Sequence, residues 1–196
     1  MEIKKAEFLT TVADEKKLIM DLPNEFAFVG RSNVGKSSLI NALTRNGKLA
    51  KTSSTPGKTK FVNYFKINGG QFHIVDLPGY GYHRASKQDE EKWIRLIENY
   101  FLKTPNLKCV FVLVDSRHDV SPLDIVMIRF LVYNRLPFVV VLTKADKLSK
   151  AEQSRQMDAI SKQIALPKDN LIMISSQNKI GLDKVLDKIE LYCDNE

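Results

Sequence analysis

Six short runs rich in β-branched and aromatic residues recur along the chain, at residues 26–29, 61–67, 71–75, 109–114, 138–142 and 171–174. Most are apolar without alternation, so the strands they form must be covered on both faces. That requirement excludes a sheet with one wet face and calls for helices above and below. The intervening segments supply them. Ser121-Pro122-Leu123-Asp124 offers a capping serine, a proline in the first turn and an acid three residues on, and Ser149 with Glu152 forms a capping box. Ser86 with Asp89 opens a further helix in which Trp93, Ile94, Ile97, Tyr100 and Phe101 form one core-facing stripe. Leu182, Val185, Leu186, Ile189 and Tyr192 do the same after Gly181. Asn68-Gly69-Gly70 reads as a hairpin turn, which makes the strands on either side antiparallel neighbours. The expected fold is α/β and three-layered, with a mostly parallel six-stranded sheet, one antiparallel strand and helices on both faces. Residues 23–196 are expected to form one domain. Residues 1–22 form a short preface, either an edge strand or a mobile lead.

Composition adds limits. With 196 residues, 43% hydrophobic and 27% charged, the chain has the make-up of an ordinary globular domain. Its longest apolar runs are far too short to span a bilayer. No apolar stretch follows Lys4 and Lys5, so no secretory signal is expected. Two cysteines make no disulfide framework, and reduced thiols in the cytoplasm are the expectation. The net charge of +7 is unevenly spread. Between Glu25 and Asp76 lie Arg31, Lys36, Arg45, Lys48, Lys51, Lys58, Lys60 and Lys66 and no acidic residue, so the rest of the chain is slightly acidic. A polyanion partner, a bound polyphosphate and a merely solvated basic surface all fit such a block.

Gly30-Arg31-Ser32-Asn33-Val34-Gly35-Lys36-Ser37 matches G-x-x-x-x-G-K-[ST], directly after an expected strand and before the helical segment that starts at Ser38. The glycines let backbone N–H groups curl around a polyphosphate. Lys36 brings an ammonium to the terminal phosphates, and the Ser37 hydroxyl is a hard ligand suited to Mg²⁺. A second apolar strand delivers Asp76-Leu77-Pro78-Gly79 to the sheet's C-terminal edge, where ligands bind in this architecture. There Asp76 can hold Mg²⁺ through water, and the Gly79 N–H can meet a γ-phosphate. A third strand ends in Thr143-Lys144-Ala145-Asp146. A carboxylate at Asp146 can accept from both N1–H and the N2 amino group of guanine, a donor pair that adenine lacks. The stem of Lys144 can lie along the base. A fourth strand ends in Ser175-Ser176-Gln177, whose backbone can donate to guanine O6.

In this order the motifs resemble the translation-factor-related P-loop GTPases. K-A-E-F near the N-terminus, GRSNVGKSSLINAL, TPGKT and DLPGYGY look specifically like the EngB family of bacterial GTPases, and the likeness covers nearly the whole chain. The resemblance implies a GTP/GDP-binding switch with slow GTPase activity, acting in assembly of the large ribosomal subunit through rRNA and ribosomal proteins, without membrane contact and as a monomer. It also implies a requirement for normal septation. A regulatory module for cell division that hydrolyses little is the competing reading, and Asp146 argues against a P-loop kinase or ATPase. Within the family pattern Thr59 is the switch threonine that closes on Mg²⁺. Gly57, Lys58, Lys60 and Phe61 move with it. Asn33 resembles the asparagine that binds K⁺ in potassium-stimulated relatives, although an ordinary loop-stabilising role fits it equally. Two departures stand out. The base motif begins with Thr143 where asparagine is usual, and Tyr80 occupies the place of the water-orienting glutamine of Ras-like enzymes. His83, three residues further on, is the alternative candidate for that task.

Overall fold

The computed structural model describes residues 1–51, 61–81 and 87–194. In chain order it holds β1 (Ala6–Val12), β2 (Glu25–Gly30), α1 (Lys36–Leu43), β3 (Val62–Ile67), β4 (Phe72–Asp76) and α2 (Lys87–Lys103). These are followed by β5 (Leu107–Asp115), α3 (Pro122–Tyr133), β6 (Phe138–Thr143), α4 (Lys150–Ile164), β7 (Leu171–Met173) and α5 (Leu182–Asp194). The strands form one sheet in the order β1-β3-β4-β2-β5-β6-β7. Only β3 runs against its neighbours, because the turn at residues 68–70 folds it back onto β4. No helix among the described residues is long and apolar enough to cross a membrane.

Side chains alternate across each strand, so one run of sequence serves two cores. Phe26 and Phe28 of β2 point to the face covered by α1 and α5, with Phe111, Leu39, Ile40, Val185 and Ile189. Phe28 and Phe111 stack there at 4.9 Å. Ala27 and Val29 point to the face covered by α2, α3 and α4, with Val112, Ile97, Tyr100, Met127, Leu131 and Ile160. This double covering is why the runs read as continuously apolar.

All six expected strands are present, and residues 6–12 add a seventh at the edge. Only Val12 of β1 is fully buried, so the segment carries no apolar run to announce it. It is held instead by antiparallel pairing with β3 and by Phe8 meeting Phe65 edge-on. Both capping boxes form, at Ser121 with Asp124 and at Ser149 with Glu152. The stripe on α2 needs one correction. Ile94 is 40% exposed, and Leu96 takes its place in the core beside Ile97, Tyr100 and Phe101. The helix meets the sheet along a line slightly rotated from the one the periodicity suggests.

Candidate nucleotide-binding site

The C-terminal ends of β2, β4, β5 and β6, with the loop after β7, gather the sequence-derived residues along one edge of the sheet. The loop from Gly30 to Gly35 turns directly from β2 into α1. Gly30 has no room for a side chain, since a Cβ there would lie 2.8 Å from the Leu113 carbonyl oxygen. Gly35 takes φ +106°, a conformation open to glycine, and caps α1 without a side-chain bond. The first N–H groups of the helix are thereby left for a ligand's oxygens. Val34 packs inward. Arg31, Asn33 and Ser38 are exposed, while Ser32 and Ser37 are half-buried.

Lys36 is buried, and its Nζ forms an ion pair with Oδ1 of Asp76, itself 3% exposed at the end of β4. Asn63 Nδ2 donates to the other oxygen at 3.4 Å. A buried carboxylate stays ionised only with a compensating charge. If phosphates draw Lys36 away, Asp76 requires another cation. The hard oxygens of Asp76 and Ser37 suit Mg²⁺, which takes few protein ligands alongside phosphate and water. Leu77 and Pro78 are buried. Gly79 lies against the phosphate loop, where a Cβ would meet Ser32 N at 3.2 Å and Gly30 O at 3.3 Å.

The base end is laced to the phosphate end. The Thr143 hydroxyl donates to Val34 O at 2.7 Å, and Lys144 Nζ donates to Asn33 O at 3.0 Å. Threonine thus reaches the loop despite replacing the usual asparagine. Ala145 is buried, with its N–H on Ile174 O at 3.0 Å. Ser175 Oγ donates to Asp146 Oδ1 at 2.7 Å. That bond outweighs the desolvation of Asp146, with help from Lys147, and holds the carboxyl below its ordinary range. Asp146 is therefore a charged acceptor. Ser176 is half-buried and Gln177 exposed in the same loop.

Asp115, at the end of β5, was not singled out by the motifs. Its carboxylate pairs with Lys144 Nζ at 2.9 Å and takes two side-chain bonds from Arg117, at 2.9 and 2.8 Å. Partial burial opposes its ionisation, but these partners prevail and hold it well below the usual carboxylate range. Asp115 thereby holds the Lys144 ammonium against the phosphate loop, where it also donates to Asn33 O. The only signal in the sequence was an acid at the end of an apolar strand.

Gly57, Lys58, Thr59, Lys60 and His83 lie outside the described residues; Phe61 is exposed. The basic block is only partly a surface. Lys36 faces inward, whereas Arg31, Arg45, Lys48 and Lys51 are exposed, Arg45 pairing with Glu2 at 2.9 Å.

A phosphate loop on the central strand of such a sheet, an acid on the neighbouring strand and a guanine-type base motif two strands away define a P-loop GTPase. A family model described as a 50S ribosome-binding GTPase matches residues 25–144. A probable GTP-binding protein EngB of Clostridium botulinum is 46% identical over 192 residues, covering 97% of this chain and 96% of its own. One from Fusobacterium nucleatum is 44% identical over 196 residues, covering 100% of both chains. The crystal structure of a probable GTP-binding protein engB shares the fold, with a TM-score of 0.71 and 22% identity over 88% of this chain and 100% of its own. The chain belongs to the EngB family of GTP-binding proteins.

Proposed function

We propose that the chain is a slow GTPase switch in assembly of the large ribosomal subunit. It acts as a cytoplasmic monomer in which residues 23–196 form a single nucleotide domain and the preface, residues 1–22, adds β1 to the edge of its sheet. The observation that carries the reading is Asp146, kept charged by Ser175 at 2.7 Å in a loop laced to the phosphate loop. Lys36 and the N–H groups of Gly35, Lys36 and Ser37 take the phosphates, and the Gly79 N–H meets the γ-phosphate. Ser37, Asp76 and Thr59 hold Mg²⁺, which when bound neutralises charge on the phosphate oxygens. Asn33 is the candidate for a K⁺ beside them. The exposed Arg31 in the phosphate loop, with Lys48 and Lys51 beyond the C-terminal end of α1, gives the rRNA a basic surface. Dependence of septation on the protein then follows from ribosome supply.

Titration with GDP and ADP tests the nucleotide reading, and equal dissociation constants would refute it. Asp146→Asn should weaken GDP by about a hundredfold or more, since two hydrogen bonds to a charged group are worth about 3 kcal/mol or more. It should improve xanthosine diphosphate, because the amide donates where the carboxylate only accepts. Capture of ribosomal particles by protein loaded with GDP or a non-hydrolysable GTP analogue tests the ribosomal reading. Recovery of division proteins without ribosomal RNA in either state would support the regulatory module instead.

A further inference from the structure

Tyr80 follows Gly79 at the position where Ras-like enzymes carry their water-orienting glutamine, yet its ring does not serve the phosphate site. It is 7% exposed and sits in the core beneath α2 and α3, edge-on to Trp93 at 6.0 Å. Its phenol donates to Asp124 Oδ1 at 2.6 Å. Asp124 is 3% exposed in the first turn of α3, and its other oxygen already accepts from the Ser121 N–H and hydroxyl. The helix cap is therefore complete without Tyr80, and one oxygen of a buried carboxylate is given over to the phenol. Burial first, and then the charge of Asp124, push the Tyr80 phenol well above its ordinary range, so it remains a donor.

The backbone around Tyr80 is fixed as well. Ser32 N–H donates to Tyr80 O at 3.0 Å, and Tyr80 N–H donates to Gly30 O at 3.3 Å. Trp93 Nε1–H donates to Pro78 O at 3.0 Å. Asp76-Leu77-Pro78-Gly79 is thus held from two sides, by the phosphate loop and by the helices.

We propose that the Tyr80–Asp124 hydrogen bond positions the site for the terminal phosphate: it anchors this loop to the start of α3, sets the Gly79 N–H over the phosphate loop, and keeps the aromatic ring out of the space in front of it. Tyr80 and Asp124 are positioning residues that act through Gly79. Packing alone would be met by phenylalanine, so the hydroxyl carries the effect. GDP has no γ-phosphate and makes no use of Gly79, so the pair sets discrimination between GTP and GDP. The inference rests on the nucleotide reading above.

The test compares wild type, Tyr80→Phe, Asp124→Ala, the double variant and Ser121→Ala. Affinities for GDP and a non-hydrolysable GTP analogue are measured, with single-turnover hydrolysis at saturating protein over GTP. The one tryptophan of the chain, Trp93, reports on the loop by fluorescence. Tyr80→Phe should leave GDP affinity within about twofold and weaken the analogue about tenfold, the worth of one charge-assisted bond. It should also alter the Trp93 signal that separates the two nucleotide states. Asp124→Ala should lose analogue affinity to a similar extent, with the double variant no worse than the larger single effect. Ser121→Ala should lower thermal stability without moving the GTP/GDP ratio. An unchanged ratio in Tyr80→Phe, or an equal change in Ser121→Ala, would overturn the positioning role. Wild type that binds neither guanine nucleotide would bring down the nucleotide reading, and this inference with it.

Discussion

Glu25 opens the central strand β2, five residues before the phosphate loop, and is 0% exposed. Tyr100 of α2 donates to its Oε2 at 2.9 Å, while its Oε1 finds no hydrogen-bond partner among the described residues. Burial, only partly offset by the Tyr100 bond and reinforced by the charge of Asp21, pushes the Glu25 carboxyl from 4.5 up to about 7. The folded state then holds a proton that the unfolded chain releases above its own, lower pKa. The stability this group contributes is complete below pH 4.5, falls as pH rises, and is gone above about pH 7. A shift of this size is worth about 3 kcal/mol, at about 1.4 kcal/mol per pKa unit. Glu25→Gln keeps an acceptor for Tyr100 and cannot ionise. Urea unfolding followed by Trp93 fluorescence at pH 5, 6, 7 and 8 should show wild type losing about 2 to 3 kcal/mol relative to the variant across the series. Comparing the two proteins at each pH cancels every other titrating group. A difference that stays constant from pH 5 to pH 8 would refute the buried, protonated carboxyl.

Lys36→Ala should abolish measurable GDP binding and cost the free protein about 3 kcal/mol, because it strands the buried Asp76 charge; adding Asp76→Asn should recover much of that stability in thermal unfolding. Gly30→Ala drives a Cβ against the Leu113 carbonyl and should destabilise by about 1 to 3 kcal/mol, read by the same assay. Lys48→Ala with Lys51→Ala should weaken particle binding and flatten its salt dependence while leaving GDP affinity intact, checked by sedimentation at increasing KCl. The isolated chain should turn over at about 10⁻³ s⁻¹ or below. Potassium should raise that rate only while Asn33 is present, which single-turnover assays in K⁺ and Na⁺ of wild type and Asn33→Ala decide.

The phosphate loop, Asp76 and the Asp146 motif were legible because each is a local arrangement, written in consecutive residues beside an apolar strand. The antiparallel turn at Asn68 and both capping boxes were legible for the same reason. What the sequence hid depends on segments that meet only after folding. Nothing near Tyr80 points to Asp124, forty-four residues away in the chain. Asp115 looks like any acid at the end of a strand until Lys144 and Arg117 close on it. Residues 1–22 read equally as an edge strand or a mobile lead because the strand character of β1 lies in backbone pairing with β3, not in buried side chains.

The bonds from Thr143 to Val34 and from Lys144 to Asn33 tie together loops 109 and 111 residues apart in sequence. Together they act as a gauge, holding the loop of Asp146 at a set distance from the phosphate loop. A ligand that spans the gauge engages both ends with no further cost for bringing them together, and each end raises the effective concentration of the other. On the proposed nucleotide reading, guanosine monophosphate lacks the β-phosphate and so engages the phosphate end only in part. On that reading its affinity should therefore fall below that of GDP by more than the contacts of one phosphate, so that the spacing reads the length of a nucleotide as well as the identity of its base.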